Sequence, residues 1–260
     1  MSLKIIHTAD WHLGQTFFGY DREEEHDAFL NWLVDTLAEQ QTDVLLIAGD
    51  VFDVANPSAS AQRRFFHFLK EANRRNPHLQ VIVVAGNHDS AARLESPIPL
   101  LEELNTSIVG IIRRTESGEI DFDSLVIPLY NKEKKREGWC LAVPYLRQGD
   151  YPAPEEGHDT YIAGINRMYR QLYDFADARR QPGEALVAMG HLHATGAELS
   201  DDDRSERIIM GGLESVSSDT FDEGLAYTAL GHIHKAQRIG GRENLRYSGS
   251  PLPMSFSETN

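Results

Sequence analysis

The sequence predicts a layered α/β fold, and three observations predict it. Short apolar runs of strand length alternate with amphipathic helical stretches through the first half of the chain. Uninterrupted β-branched runs such as VIVV (81–84) fit strands covered on both faces, as a sheet lying between two layers requires. The apolar runs also end alike, in a glycine followed by carboxylate, amide or imidazole side chains. Open α/β sheets bind their ligands at that end, outside the carboxyl ends of the strands.

Taken in order, LKIIH (3–7) is a short strand followed by TADWHLG. Asp21 and Glu24 make a capping box for a helix running to about Gln40, with Ala28, Phe29, Trp32, Leu33 and Leu37 on one face. DVLLIAGD (43–50) is a second buried strand. A helix through Phe65, Phe66, Leu69 and Ala72 leads to the third, VIVVAGNHD (81–89). From about Ser107 to Val143 the pattern shortens to SIVGIIRR, DSLVIPLY and GWCLAVPYL, which read as antiparallel additions to the sheet. YPAPEEGHD (151–159) is a loop, and Ile162, Ile165, Tyr169, Leu172, Tyr173 and Ala176 form a helical stripe that stops before Gln-Pro-Gly. ALVAMGHLH (185–193) and AYTALGHIH (226–234) then repeat one device: apolar run, glycine, histidine, any residue, histidine.

At 260 residues, with 41% hydrophobic and 25% charged side chains, the chain is long enough for one large α/β domain with a sizeable core. No apolar run has the length of a bilayer span, and MSLKIIHT lacks the basic and apolar regions of a signal peptide, so a cytoplasmic protein is expected. The single cysteine, Cys140, excludes an internal disulfide and a thiolate metal cluster, so a metal site must use nitrogen and oxygen donors. Cys140 itself falls in the middle of a strand. The formal net charge of -15 argues against indiscriminate binding to a polyanion. Acidic residues are concentrated in places such as ELSDDDRSE (198–206), while Arg63/Arg64, Arg74/Arg75, Arg113/Arg114 and the run Lys132, Lys134, Lys135, Arg136 are local basic spots, either solvated faces or substrate contacts.

The strand ends collect Asp10 and His12, Asp50, Asn87 with His88 and Asp89, His191, and His232 with His234. In a sheet of neighbouring strands such ends converge on one rim. Hard and borderline donors of this kind suit Mn, Fe or Zn and suffice for two ions. Within Asp10-x-His12 and His232-x-His234, alternate residues of extended chain point the same way. Each cluster alone has an ordinary use: a histidine closing a strand, Asp50 as a helix cap, Asn87 as a turn residue. Five clusters in sequence favour one shared use.

The words DxH, GD, GNHD, GH and GHxH, in this order, resemble the binuclear metallophosphoesterase superfamily over nearly the whole chain. HTADWHLGQ, IAGDVFD, AGNHDS, GHLH, ALGHIHKAQ and YSGSPLPMSF are similar to the bacterial SbcD-type nucleases. The resemblance implies a metallophosphoesterase sandwich of two mixed β-sheets flanked by helices, spanning 1–260. It implies Asp10, His12 and His234 on one ion, Asn87, His191 and His232 on the other, and Asp50 between them. His88 would protonate or stabilise the leaving oxygen and Asp89 would orient it. Two ions about 3.5–4 Å apart would lower the pKa of a shared water for in-line attack, with no covalent enzyme intermediate.

The expected activity is Mn-dependent DNA hydrolysis, as exonuclease and single-strand endonuclease, in double-strand break repair and recombination. Two divalent ions, Mn2+ foremost, are the implied cofactors. DNA and an SbcC-type coiled-coil ATPase subunit are the implied partners, in a heterotetramer containing a homodimer of this chain, with no membrane. The family's DNA-capping and ATPase-docking regions are expected to be absent or truncated here. A small-molecule phosphodiesterase or protein phosphatase with the same metals, and a scaffold without catalysis, are the rival readings. His193 is expected at the rim rather than on a metal, Asp53 behind the ligands, and Trp11, Phe17 and Phe18 either on bases or in packing. His7, His26, His67, His78 and His158 receive no role.

Overall fold

The computed structural model of the protein describes residues 3–152, 161–198 and 215–256. Strand β1 (Ile5–Thr8) is followed by a two-residue hairpin pair, β2 (Thr16–Phe17) and β3 (Tyr20–Asp21), and by helix α1 (Glu23–Glu39). Then come β4 (Val44–Ala48), α2 (Ala59–Arg75), β5 (Gln80–Val84), the short helices α3 (Ala91–Glu95) and α4 (Ile98–Leu101), and β6 (Thr106–Val109). The second half holds β7 (Val126–Tyr130), β8 (Arg136–Ala142), α5 (Tyr161–Asp177), β9 (Ala185–His191), β10 (Tyr227–Gly231), β11 (Gln237–Ile239) and β12 (Arg242–Tyr247).

Two sheets result. One runs β1-β4-β5-β6 with every pairing parallel. The other runs β11-β12-β10-β9-β8-β7, with parallel strands at its centre and an antiparallel pair at each edge. The predicted sandwich is therefore present, with mixed polarity confined to the second sheet. The antiparallel reading of residues 107–143 needs revision at its first segment: β6 adds in parallel to β5, because α3 and α4 return the chain to the starting end of the sheet. Among the strands there, β7 and β8 form the antiparallel pair, beside an isolated antiparallel bridge of Arg114 and Ile120, and they open the second sheet.

Alternation along β4 and β5 explains the layering. Leu45, Ile47, Val81 and Val83 pack with α1, α2 and Trp11, whereas Val44, Leu46, Ala48, Ile82 and Val84 face β8, β9, β10 and the α5 layer. Both faces are apolar because both are covered. Helix α2 begins at Ser58, whose Oγ accepts the Ala61 N–H at 3.1 Å, and ends with Arg74 and Arg75 near its carbonyl end. The expected capping box of α1 does not form. Arg22 occupies the cap, and Asp21 accepts the Glu23 N–H at 2.7 Å instead. The buried stripe of α1 is His26, Leu30, Leu33, Val34 and Leu37, rotated from the expected face, so Trp32 is 59% exposed and Ala28 faces solvent. The α5 stripe holds through Ile165, Tyr169, Leu172 and Ala176, with Met168 added and Tyr173 half-buried. No helix among the described residues is long and apolar enough to cross a membrane.

The parallel register between β9 and β10 sets Gly231 beside His191, so the two Gly-His words stand next to each other at one rim. There the two sheets touch. A Cβ on Gly231 would lie 1.9 Å from the Ala48 carbonyl oxygen, and one on Gly86 would lie 2.0 Å from Asp50 Oδ1. Those glycines permit close approach, a stricter requirement than the turn the sequence suggested. Since Leu46 is fully buried between the sheets, Leu46→Ala is expected to lower the unfolding free energy by about 2–5 kcal/mol in urea denaturation. A loss below about 1 kcal/mol would show that the sheets do not depend on packing at this layer.

Candidate metal centre

The rim gathers the carboxyl ends of β1, β4, β5, β9 and β10, and each carries the polar residues that follow its apolar run. Backbone bonds lock the first loop to the second: Asp10 N–H donates to Gly49 O and His12 N–H to Asp50 O, both at 3.0 Å. The His232 N–H donates to Asp10, 2.9 Å from Oδ1 and 3.2 Å from Oδ2, which ties β10 to β1 across the gap between sheets. Asp10, His12, Asp50 and His232 all have left-handed backbones, with φ of 55, 45, 48 and 99°. Such strain in non-glycine residues persists where surrounding structure enforces it.

Asp10, His12 and His234 bring their ligating atoms within 4.8 Å of one another, and so do Asp50, His191 and His232. Asn87 joins the second group: its Oδ1 lies 2.9 Å from His191 Nε2 and 3.0 Å from His232 Nδ1. Asp50 lies between the groups. Its Oδ1 accepts the His88 N–H at 2.9 Å, while Oδ2 faces His191 Nε2 at 3.2 Å and His12 Nε2 at 3.7 Å. Asp50 Oδ2 and His12 Nε2 are both buried and face each other across 3.7 Å with no hydrogen bond between them. Donor atoms sharing an octahedral ion with bonds of about 2.1 Å stand roughly 3 Å apart, so these spacings fit a cation. All seven residues proposed as ligands from the sequence are thus brought together.

The histidine tautomers agree. His191 Nδ1–H donates to the Ala48 carbonyl at 2.9 Å, which in the neutral ring leaves the Nε2 lone pair to ligate a cation beside Asp50 and Asn87. Charge is heavily concentrated. Burial pushes the Asp10 carboxyl up to about 7, with His191 opposing and Asp50 adding to the rise. His191 is raised to about 9 although burial works against it, because Asp50 lies beside it. Burial would lift Asp50, but the charge and hydrogen bond of His191 hold it well below the carboxylate range. His12 is raised against its burial by Asp53 and Asp50. Protons thereby occupy the role that cations would take, and divalent ions would displace them.

His88 and Asp89 divide their work differently from the expectation. His88 Nδ1–H donates to the Asp53 carbonyl at 2.8 Å, and its ring lies 4.9 Å from that of His12. The carboxylate of Asp89 instead accepts backbone N–H groups of Gly86, Phe52 and Val51 at 2.9, 3.0 and 3.2 Å. It pins the loop after β4 to the loop after β5, so Asp53 orients His88 and Asp89 holds the backbone around Asp50. Burial first, and then the charge of Asp50, raise the Asp89 carboxyl against those amides. His88 also lies within 4.8 Å of His12 and Asp50 as a third potential ligand group.

Other expectations find their places. Asp53 does stand behind the ligands, with its carboxylate 3.3 Å from His12 Nδ1. His193 lies 6.1 Å from His232, ring to ring, and belongs to none of the ligand groups. Trp11 is core: it is 1% exposed, packed edge-on by Phe29, Phe65 and Phe68, with its N–H on Thr8 Oγ1 at 2.9 Å. Cys140 is buried in β8, and burial pushes its thiol up. Arg64, Arg74, Arg75, Arg113, Lys135 and Arg136 each face a carboxylate, which favours solvated or paired surfaces over substrate contact. His7, His26 and His67 sit on β1, α1 and α2, and His78 in the turn before β5. His158 and residues 199–206 of the acidic stretch lie outside the described residues. Sequence reasoning missed Tyr145, whose ring is 6.2 Å from His191 and 6.5 Å from His232. Its signal was the same as the others, a polar group just past an apolar run, here WCLAV.

Residues 3–236 match the family model described as calcineurin-like phosphoesterase. The chain belongs to that family. Among curated relatives it is similar to proteins named as the SbcD component of the nuclease SbcCD. That of Rhodobacter capsulatus is 42% identical over 98% of this chain and 64% of its own length. The proteins of Escherichia coli K12 and Bacillus subtilis 168 are 37% and 34% identical over 98% of this chain, and over 62% and 63% of theirs. The chain therefore spans less than two thirds of the length of these relatives. As a calcineurin-like phosphoesterase it has a fold that implies divalent metal ions, and the donor set at the rim suits them. Because a Cβ at Gly86 must displace the Asp50 carboxylate, Gly86→Ala is expected to weaken divalent-ion binding by about tenfold or more in calorimetric titration, with unchanged far-UV circular dichroism. Wild-type affinity in that variant would mean that Asp50 does not hold the ions.

Proposed function

We propose that residues 1–260 form the nuclease domain of a Mn2+-dependent enzyme that hydrolyses DNA phosphodiesters, as exonuclease and single-strand endonuclease. In this proposal it acts in the cytoplasm with a coiled-coil ATPase subunit in double-strand break repair and recombination, as a homodimer within a heterotetramer. The observation that carries the catalytic part is the convergence of two donor groups on Asp50. The preference for DNA over other phosphate esters is supported by similarity to proteins named as nucleases.

In the proposed site Asp10, His12 and His234 hold one cation, Asn87, His191 and His232 the other, and Asp50 both. Such cations supply Lewis acidity toward a phosphate oxygen and a water of lowered pKa. The remaining work belongs to the chain. Asp53 commits His88 Nδ1–H to a carbonyl, so Nε2 is the nitrogen that exchanges a proton with the leaving oxygen. Asp89 keeps the amides of Gly86, Val51 and Phe52 in place, which fixes the loop that presents Asp50.

His88→Gln is expected to keep both Mn2+ ions by metal analysis yet lose about 100- to 10,000-fold in cleavage of single-stranded DNA. Near-wild-type turnover would refute the assignment. Parallel assays on a phosphodiester reporter and a phosphomonoester reporter test the substrate class: faster monoester than diester or DNA hydrolysis would point to a phosphatase instead.

A further inference from the structure

Beyond the metal centre, the tip of the β2–β3 hairpin and the segment after β12 meet in a cluster of aromatic rings turned to solvent. Phe18 is 71% exposed, Tyr20 77% and Phe256 66%. Half-buried Phe17 lies against both phenylalanines, with ring centroids 4.9 Å from Phe18 and 5.0 Å from Phe256. Phe18 and Phe256 stand 4.8 Å apart with their planes only 32° from parallel. The turn puts Phe18 at φ 50° and Gly19 at φ 85°. A bulky residue is an outlier in that region, where Asn, Asp or Gly would close the hairpin without strain. The molecule thus holds a large apolar ring outward at a cost, in a place where a polar residue would serve the fold better.

The cluster is fastened to the metal-binding loops. Arg22, whose guanidinium lies 5.1 Å from the Phe17 ring centre, donates to Gln15 Oε1 at 3.1 Å and to the Pro253 carbonyl at 2.6 Å. Gln15 N–H in turn donates to His12 O at 2.9 Å, and Ser250 N–H donates to His234 O at 3.0 Å. The hairpin and the segment after β12 are therefore each bonded directly to a loop carrying proposed ligands of the Asp10, His12, His234 group. Arg22 is 6% exposed and paired with Glu25, so it stiffens the base of the cluster and offers no charge to a phosphate.

We propose that Phe18 and Phe256, seated on Phe17, form a stacking platform for an unpaired nucleobase of the single strand whose phosphodiester lies at the metal centre. This rests on the nuclease reading and adds the contact that places the strand. The charge balance selects this occupant. A chain of net charge -15 in which Arg64, Arg74, Arg75 and Arg113 already face carboxylates draws little affinity from phosphate contacts, whereas a neutral base stacks on a π face in any field. Exposed, pre-set rings bonded to the catalytic loops suit that role.

The test measures binding of a labelled oligothymidylate by fluorescence anisotropy, with Mn2+, in the His88→Gln background. Phe18→Ala and Phe256→Ala are each expected to weaken binding about 5- to 150-fold, the size of one lost base–aromatic stack, and Phe18→Trp to restore it. The slope of affinity against salt should not change, because stacking releases no counterions. On a strand with abasic sites in place of the stacked bases, the Phe18→Ala effect should vanish. An equal loss on the abasic strand, no loss on either, or a loss that tracks dissociation of a dimer in sedimentation would overturn the platform. Wild-type protein that hydrolyses a phosphodiester reporter but neither binds nor cuts DNA would instead overturn the nuclease reading, and the platform with it.

Discussion

Asp50 lies between two imidazoles from different parts of the chain, His12 Nε2 at 3.7 Å and His191 Nε2 at 3.2 Å, and the rim depends on that placement. A buried carboxylate is tolerable only if hydrogen-bonded and matched by positive charge. One oxygen is satisfied by the His88 N–H; the other faces the imidazoles. The consequences spread outward: Asp10 and Asp89 are pushed up partly by the Asp50 charge, while His12 and His191 are drawn up toward it. For Asp50 to be reached from both sheets, their edges must touch. This is why the chain has no side chain at Gly86 or Gly231, where a Cβ would strike Asp50 Oδ1 or the Ala48 carbonyl.

That geometry is held against local preference. Four of the seven proposed ligands have left-handed backbones, each costing about 1–3 kcal/mol. The stabilising side is the doubly covered sheet beneath them, whose strands β4 and β5 are buried at every position. Cross-loop bonds then transmit that rigidity to the donors: His232 N–H to Asp10, and three amides to Asp89. Strain here marks preorganisation: the loops hold the donors at ion-binding distances from one another.

Much of this was legible in the chain. Strand runs such as VLLIA and VIVV have no polar interruption because both faces are covered, and the Gly-polar words that end them name the rim. What could not be read is whatever depends on the neighbour across a gap. The rotation of the α1 stripe away from Trp32 follows from how α2 packs. The partner of His88 is a backbone carbonyl, which has no signature in a sequence, and the adjacency of Asp89 suggested the wrong orienter. Trp11 stands between two proposed ligands in sequence yet points into the core, because a left-handed residue on each side turns it away from Asp10 and His12.

The acidity of the chain and the proposed polyanionic substrate are reconciled by distance. At physiological ionic strength, exposed charges more than about 8 Å apart are largely screened, so most of the net -15 is not felt at the rim. What a phosphodiester would meet there is local: Asp10, Asp50 and Asp53 with the amide and imidazole donors beside them, within a few ångströms of one another. In the proposed site, divalent ions held there would offset the charge of those carboxylates, in a setting where buried charges are poorly screened and their field is strong. Attraction is then confined to the place where the bond must break, and the acidic exterior discourages phosphate contacts elsewhere on the surface. An enzyme arranged in this way favours a strand delivered to the metal centre over one held along the protein, and needs any additional grip on nucleic acid to be uncharged.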